Sequence, residues 1–190
     1  MYRFVALILV LLLQACAEAP IFSGQEIYDV AAHKALSEIR QWHFEGRMAI
    51  TSAEDSWSAN VEWRHDPEHD TINLSGPLGQ GTLLIKLDGS HVSIDDGDGN
   101  VEQSDDADSF VMQKLGVFVP VRALVYWVIG LPDPDRSVSE LKRGFEQDGW
   151  RIDYKEWQSI NNQQLPRKLD IQNKRVKLKL VFDQWKVVNG

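Results

Sequence analysis

The chain has 190 residues, a formal net charge of −8 and a sequence pI of about 5.1. This length suits a single domain, and the acidic balance argues against nucleic-acid binding, which depends on cationic contacts to phosphate. Cys16 is the only cysteine, so an internal disulfide is excluded and the odd thiol needs another explanation.

The first fifteen residues are predicted to be a signal peptide. Arg3 is followed by ten apolar residues, Phe4 to Leu13, a run well short of the roughly 20 residues that cross a bilayer as a helix. The run ends in Leu13-Gln14-Ala15-Cys16, which resembles a lipobox, although Gln14 is unusual in its place. We therefore predict cleavage before Cys16 and lipidation of its sulfur. Two or three acyl chains would hold the protein firmly on a membrane.

Residues 16–25 form the predicted lipidated N-terminus and tether, and residues 26–190 form the predicted domain. Loss of Arg3 with the signal peptide gives the mature chain a net charge of −9. In Gram-negative lipoproteins, an Asp after the lipidated cysteine tends to retain the protein in the inner membrane. Ala17 stands there in this chain and favours the outer membrane.

The first half of the domain changes its hydrophobic period. Apolar residues recur at a spacing near 3.6 from about Glu26 to Arg40, which predicts a helix. The period then becomes two, as expected for half-buried strands. Strands are predicted at Trp42–Ile50, Ser56–Arg64, Thr71–Leu74, Thr82–Leu87 and His91–Ile94. The fourth of them is apolar at nearly every position, so we expect it to be covered on both faces.

The middle of the chain is predicted to be helical. Asp105 or Asp106 can cap a helix that ends near Leu115, and Pro120 suits the start of another over Val121–Ile129. The second helix is apolar almost all round, which indicates deep burial or contact with an apolar surface. Alternation returns from Trp150 to Phe182. The pattern predicts a mainly β (α+β) fold, an open curved antiparallel sheet of about nine to eleven strands with helices on its concave side.

Residues that carry chemistry are sparse, so no enzyme, cofactor or metal is expected. The nucleophile elbow, the phosphate-binding glycine loop and the zinc-protease motif are all missing from the sequence. His65 and His69 flank Pro67 and favour a polar hairpin over a metal site, whereas His33 and His43 are interpreted as structural. Seven basic residues between Arg167 and Lys186 favour a solvated sheet face.

A loop between two predicted strands has an unusual tip. Ser75-Gly76-Pro77-Leu78-Gly79-Gln80-Gly81 makes a tight turn, and loop tips normally carry polar residues. Leu78 is therefore either tucked into a neighbouring groove or displayed to an apolar partner. Loop physics alone leaves these alternatives open.

The sequence resembles the LolB family of outer-membrane lipoproteins from the lipobox to the last predicted strand. The most specific match is the Pro77-Leu78-Gly79 turn followed downstream by Trp127-Val128-Ile129-Gly130-Leu131-Pro132. Weaker matches are Gly46-Arg47-Met48-Ala49-Ile50, Trp57 to Trp63, Gly116, Val119-Pro120 and Lys177-Leu178-Lys179-Leu180. Ser75-Gly76 stands where Thr-Asn can occur in the family.

The resemblance implies a half-open β-barrel with a helical lid over an apolar cavity, related to the periplasmic carrier LolA. It also implies a monomeric receptor that accepts lipoproteins from LolA, shelters their acyl chains and inserts them into the inner leaflet of the outer membrane. The implied insertion loop is Gly76, Pro77, Leu78 and Gly79, with Leu78 displayed. Candidates for the cavity lining are Trp57, Val61, Trp63, Leu124 and Trp127.

Two other classes stay open at this point. One is an outer-membrane assembly or scaffold lipoprotein that binds a protein partner through a sheet edge or an acidic face. The other is a periplasmic hydrolase with an Asp/Glu pair, for which the sequence offers no spaced motif.

Overall fold

The computed structural model describes residues 28–76 and 81–189. Within these ranges, eleven strands form one sheet. They are β1 (Ile39–Ser52), β2 (Ser56–His65), β3 (His69–Ser75), β4 (Thr82–Asp88), β5 (His91–Asp95), β6 (Val101–Ser104), β7 (Ser139–Leu141), β8 (Gly144–Gln147), β9 (Trp150–Ile160), β10 (Gln163–Gln172) and β11 (Val176–Asn189). Every paired neighbour is antiparallel, in the order β6-β5-β4-β3-β2-β1-β11-β10-β9-β8-β7.

The chain path explains how helices come to cover one face of this sheet. Strands β1 to β6 run from the centre to one edge, and β7 to β11 return from the other edge to pair with β1. The connection between the edges carries helices α1 (Ala107–Leu115) and α2 (Val121–Trp127). These helices cross the concave face, where they pack against residues of five strands. The predicted fold class and strand number are confirmed.

Alternation along β2 shows why this sheet has an apolar inner face. Ala59, Val61 and Trp63 are buried, whereas Ser58 and Asn60 on the alternate positions are exposed. Burial of each large apolar side chain contributes about 1.5–3 kcal/mol, so a shift of the strand by one residue would be strongly unfavourable.

A glycine permits close approach at the centre of the sheet. The pairing of β1 with β11 shifts its register between Glu45 and Gly46. A Cβ atom at Gly46 would lie 2.2 Å from the carbonyl oxygen of Val181, a distance that no side chain tolerates. Bulges of this kind bend and twist a strand, which helps the sheet to curl.

The two predicted helices in the middle of the chain are confirmed. Asp106 caps α1, because its side chain accepts a hydrogen bond from the backbone N–H of Ser109 at 3.2 Å. The helix stops at Gly116, whose φ of 72° is left-handed. Helix α2 ends at Trp127, two residues earlier than the predicted Ile129.

The predicted helix from Glu26 to Arg40 is wrong over its described part. A short 3-10 helix spans Lys34–Glu38, and β1 already begins at Ile39. Before it, the Asp29 side chain accepts a hydrogen bond from the N–H of Ala31 at 2.8 Å, a local turn that competes with helix formation. Strand pairing of Ile39 with Asn189 overrides the helical periodicity.

The prediction that Thr82–Leu87 is covered on both faces is also wrong. Ile85 and Leu87 are buried on the concave face, but Lys86 between them is exposed and Leu84 is only half-buried. The helices cover the concave face alone, so the apolar residues of the other face remain partly exposed.

Among the described residues, no helix combines the length and the apolar character that a membrane span requires.

Candidate functional site

An apolar cavity of about 50 Å³ lies between the concave face of the sheet and the two helices. Its sheet side is formed by residues of β1, β2, β3, β4 and β11, and its helical side by residues of α1, α2 and the segment between them. All the residues that line it are apolar: Met48, Ile50, Val61, Trp63, Ile72, Leu74, Ile85, Val111, Leu115, Val119, Val121, Leu124, Leu178 and Leu180. Such a lining is compatible with hydrocarbon and offers no partner to water.

The structure brings three of the five candidate cavity residues together. Val61, Trp63 and Leu124 line the cavity. Trp57 is half-buried near the beginning of β2 and does not line it. Trp127 is buried on another side of α2, with its ring centroid 6.2 Å from that of Trp150.

The C-terminal end of α2 is fixed by hydrogen bonds that sequence reasoning missed. The Tyr154 hydroxyl donates to the carbonyl oxygen of Trp127 at 2.8 Å, and the Tyr28 hydroxyl donates to that of Gly130 at 2.5 Å. The first bond adds a second donor to a carbonyl at the helix end, which also accepts from the N–H of Gly130, and the other holds the segment that follows the helix. Burial raises the pKa of both tyrosines above the usual value, so both hydroxyls stay protonated as donors.

Gln147 on β8 adds further hydrogen bonds at the same end of α2. We call the set formed by Gln147, Tyr154 and Tyr28 the clamp. Its side-chain oxygen accepts hydrogen bonds from the indole N–H of Trp127 and the backbone N–H of Asp133, both at 2.9 Å. Its amide nitrogen donates to the carbonyl oxygens of Asp133 and Arg136. Gln147 is a buried residue with all its polar atoms engaged. An isolated glutamine in the sequence gives no signal of this role.

A single carboxylate links the two helices. Oδ1 of Asp108, in the first turn of α1, accepts a hydrogen bond from the backbone N–H of Val121 at 3.0 Å. This hydrogen bond caps the N-terminus of α2. Pro120, at the N-cap position of that helix, makes no side-chain cap of its own. Burial raises the pKa of Asp108 despite this hydrogen bond.

A second hollow, of about 770 Å³, lies beside α2. Val125, Tyr126 and Ile129 form its helical wall, and Trp42 lies on the opposite wall. Charged residues line it as well: Asp29, Lys34, Arg40 and Glu140. We call this second hollow the groove. It is open and much larger than the cavity.

The predicted insertion loop is described only at its base. Pro77, Leu78 and Gly79 lie outside the described residues, as does Cys16. The N–H of Gly76 donates to the carbonyl oxygen of Gly81 at 3.1 Å, which closes the loop at the ends of β3 and β4. Pro67 lies in the turn at the other end of β3 and lines the groove beside α2. The groove and the loop are therefore at opposite ends of this strand.

The histidines of the β2–β3 hairpin pair with neighbouring carboxylates. Nδ1 of His65 lies 2.9 Å from Oδ1 of Asp70, which also accepts a hydrogen bond from the Trp63 indole at 2.7 Å. His69 lies 3.4 Å from Asp66 in the turn. The prediction of a polar hairpin here is confirmed.

An open, curled antiparallel sheet with helices over an apolar concave face defines the class of this protein, and solved structures share the fold. A LolA superfamily protein from Nitrosomonas europaea superposes with a TM-score of 0.52 at 7% identity, over 87% of this chain and 96% of that one. A DUF1329 family protein from Desulfovibrio piger gives the same TM-score and identity over 85% and 91%. At this identity the likeness shows the fold alone.

Sequence comparison gives the family. A family model described as outer membrane lipoprotein LolB matches residues 40–185. An outer-membrane lipoprotein LolB from Chromohalobacter salexigens is 31% identical over 197 residues, covering 98% of this chain and 91% of the relative. One from Aeromonas hydrophila is 30% identical, with 80% of each chain covered. The chain belongs to the LolB family.

Membership confirms the resemblance inferred from the sequence motifs. The family consists of outer-membrane lipoproteins that act in lipoprotein localisation and are not enzymes. The prediction that this protein is not an enzyme is therefore confirmed.

Proposed function

We propose that this protein is an outer-membrane receptor that accepts lipoproteins from the carrier LolA, shelters their acyl chains and inserts them into the inner leaflet of the outer membrane. The observation that carries this proposal is the cavity with an entirely apolar lining between the sheet and the two helices. Family membership supports the lipoprotein substrate class.

Apolar contact alone can hold and pass on such cargo. Each buried methylene contributes about 0.8 kcal/mol, so an acyl chain in an apolar site is held firmly. A receiver that binds the chains about 1.4 kcal/mol more tightly than the giver already makes transfer tenfold directional. Transfer of this kind needs no covalent step and no energy source.

The cavity has to enlarge before it can hold an acyl chain. Ligand pockets typically measure about 300–1,000 Å³, whereas this cavity measures about 50 Å³. We therefore propose that the structure represents the closed state, and that α1 and the beginning of α2 move away from the sheet during loading. Val111 and Leu115 on α1 would then leave the sheet residues that they now contact across the cavity.

The anchor and the loop complete the proposed mechanism. Acyl chains on Cys16 would hold the domain on the outer membrane, facing the periplasm, with residues 16–25 as a tether and the domain acting as a monomer. Leu78, on the loop between β3 and β4, would contact the bilayer and ease the release of cargo chains.

Acceptance is tested with Leu124→Gln in the full-length lipidated protein, using LolA loaded with a radiolabelled lipoprotein. A polar amide in the cavity should reduce acceptance roughly 5- to 140-fold, since an unpaired buried amide costs about 1–3 kcal/mol. Arg122→Gln, on the exposed face of the same helix, is the matched control and should accept normally. Equal acceptance by both variants would exclude the cavity as the binding site.

Release is tested separately with Leu78→Glu and outer-membrane vesicles. We expect this variant to accept cargo from LolA normally and to release it into the membrane much more slowly, because a charged residue at the loop tip avoids hydrocarbon. Unimpaired release would remove Leu78 from the mechanism. A wild-type protein that takes no lipoprotein from LolA would instead favour a scaffold role.

A further inference from the structure

Three potential metal ligands meet on the convex face of the sheet, away from the cavity. His43 and Glu45 alternate on β1 and project to this face, and Glu62 on β2 is the direct cross-strand partner of Glu45. Oxygen or nitrogen atoms of the three side chains all lie within 4.8 Å of one another. Two residues at i and i+2 on one strand with a third on its neighbour give a fixed, convergent set of ligands.

The separations match those of ligands around one small cation. Nε2 of His43 lies 3.2 Å from Oε1 of Glu62 and 3.9 Å from Oε1 of Glu45. Imidazole nitrogen and carboxylate oxygen bind zinc at about 2.0–2.2 Å, which places tetrahedral ligands roughly 3.3 Å apart. The cluster therefore needs little rearrangement to enclose an ion.

Two features of the cluster are unfavourable without a cation. Nε2 of His43 is buried, yet it makes no hydrogen bond despite its proximity to both carboxylates. Glu45 and Glu62 are like charges directly opposite each other, an arrangement that destabilises a sheet. A divalent ion between the three groups would remove both costs at once.

We infer that His43, Glu45 and Glu62 form a binding site for a divalent transition-metal ion of the zinc type, which bridges β1 and β2 on the convex face. One nitrogen and two carboxylate ligands leave a fourth position for water. Mg²⁺ and Ca²⁺ prefer all-oxygen sites, so the imidazole ligand selects against them.

A protein cation competes for one of these carboxylates. The Arg64 guanidinium pairs with Glu62. Arg64 keeps 62% of its side chain exposed, so it can leave Glu62 without loss of packing. Metal binding should displace it, which predicts that removal of the guanidinium strengthens binding.

The test titrates metal-stripped, full-length lipidated protein in detergent micelles with ZnCl₂ by calorimetry. We expect one ion per chain, and Co²⁺ should give the absorption spectrum of a four-coordinate site. His43→Gln, Glu62→Gln and Glu45→Gln should each weaken binding by more than the roughly 10–100-fold that loss of a residue supporting a ligand costs, because each removes a ligand itself. Arg64→Gln should tighten binding severalfold.

The matched control is His91→Gln. His91 lies 3.0 Å from Asp105, and among the described residues no second carboxylate pairs with its ring, so its loss should leave zinc binding unchanged. Circular dichroism verifies that each variant is folded, and Glu45→Gln, at the most exposed ligand, serves if His43→Gln fails to fold. Absence of binding, or equal loss in His91→Gln, or weaker binding in Arg64→Gln would overturn the inference.

Discussion

Helices α1 and α2 both cover the concave face, but they are held there in different ways. The C-terminal end of α2 is tied to β8 and β9 through Gln147 and Tyr154, and to the N-terminal segment through Tyr28. Helix α1 packs through Phe110 and Val111, but its polar ties are few and lie largely at the surface.

The ties of α1 are weaker because water competes for them. Lys114 pairs with Glu102 of edge strand β6, and pairs of this exposed kind contribute about 0–1 kcal/mol. Another tie is the hydrogen bond from the Val121 N–H to Asp108, which links the helices to each other rather than to the sheet. Gly116 then separates α1 from α2 with a left-handed backbone.

This difference predicts which part of the helical cover would open at the lower cost. Local opening draws on segments with few buried contacts and exposed hydrogen bonds, and α1 fits that description better than the clamped end of α2. Movement of α1 together with the beginning of α2 would enlarge the cavity while Trp127 stays in place.

Gln147→Leu should have the largest effect, because it breaks the clamp at its centre. The indole of Trp127 and the N–H of Asp133 would both lose their acceptor in a buried place. We expect a loss of about 3 kcal/mol in the free energy of unfolding, measured with urea. Faster amide exchange at the end of α2 should accompany it.

Gln113→Leu is the control for this change, since Gln113 is exposed on α1. It should alter the free energy of unfolding by less than about 0.5 kcal/mol. If the two variants are equally stable, the clamp does not distinguish the two helices.

Tyr154→Phe should have an intermediate effect. It removes one hydroxyl and leaves the Trp127 carbonyl oxygen without this donor, while the ring keeps its contacts with Tyr28 and Trp157. The expected loss is about 1–2 kcal/mol in the same urea measurement. Tyr126→Phe, at a half-buried ring in the groove wall, should change stability less. A larger loss at Tyr126 would contradict the assigned role of Tyr154.

Acid should change the stability of α1, and we expect this change to be smaller than the losses caused by Gln147→Leu and Tyr154→Phe. The hydrogen bonds from Ser109 hold the pKa of Asp106 below its usual 3.8. A lowered folded pKa means that this stabilisation is complete above the unfolded value and is lost as the pH falls through the folded one. Burial raises the pKa of Asp108, so its charge opposes folding at neutral pH, and this cost disappears on protonation in acid.

Asp106→Asn separates these contributions because asparagine caps a helix without titrating. Unfolding midpoints measured from pH 6 to below pH 3 should fall less steeply in this variant than in the wild type. Asp88→Asn, at the exposed end of β4, serves as the control and should retain the steeper slope. Parallel profiles for the wild type and Asp106→Asn would refute a stabilising charge at this cap.

The sequence predicted those elements whose pattern is carried by consecutive residues. The alternation around Val61 and Trp63 fixed both the strand and its buried face, and Pro120 and Gly130 enclosed the second helix. The sequence did not predict the secondary structure of residues whose conformation depends on a partner far away in the chain. Ile39 belongs to a helical pattern but pairs with Asn189 at the end of β11, 150 residues later. Long-range pairing of that kind leaves no trace in local periodicity.

The candidate site shows the same division. Val61, Trp63 and Leu124 could be placed in the cavity because they lie on apolar faces of recognisable elements. The clamp could not be predicted, since Gln147 and Tyr154 lie 20 and 27 residues from Trp127, and Tyr28 lies 102 residues from Gly130, separations that local periodicity does not reveal. The proximity of His43 to Glu62 depends on the register of β1 and β2 in the same way.

By itself, the sequence determined the family, the strand-rich composition and the apolar inner face, because these follow from motifs and from the spacing of apolar residues. Only the tertiary structure decided the size of the cavity, the clamp on α2 and the convergence of side chains on the convex face. Those features depend on distances between residues far apart in the chain. These distances are fixed when β1 pairs with β11 and joins the two halves of the sheet at its centre.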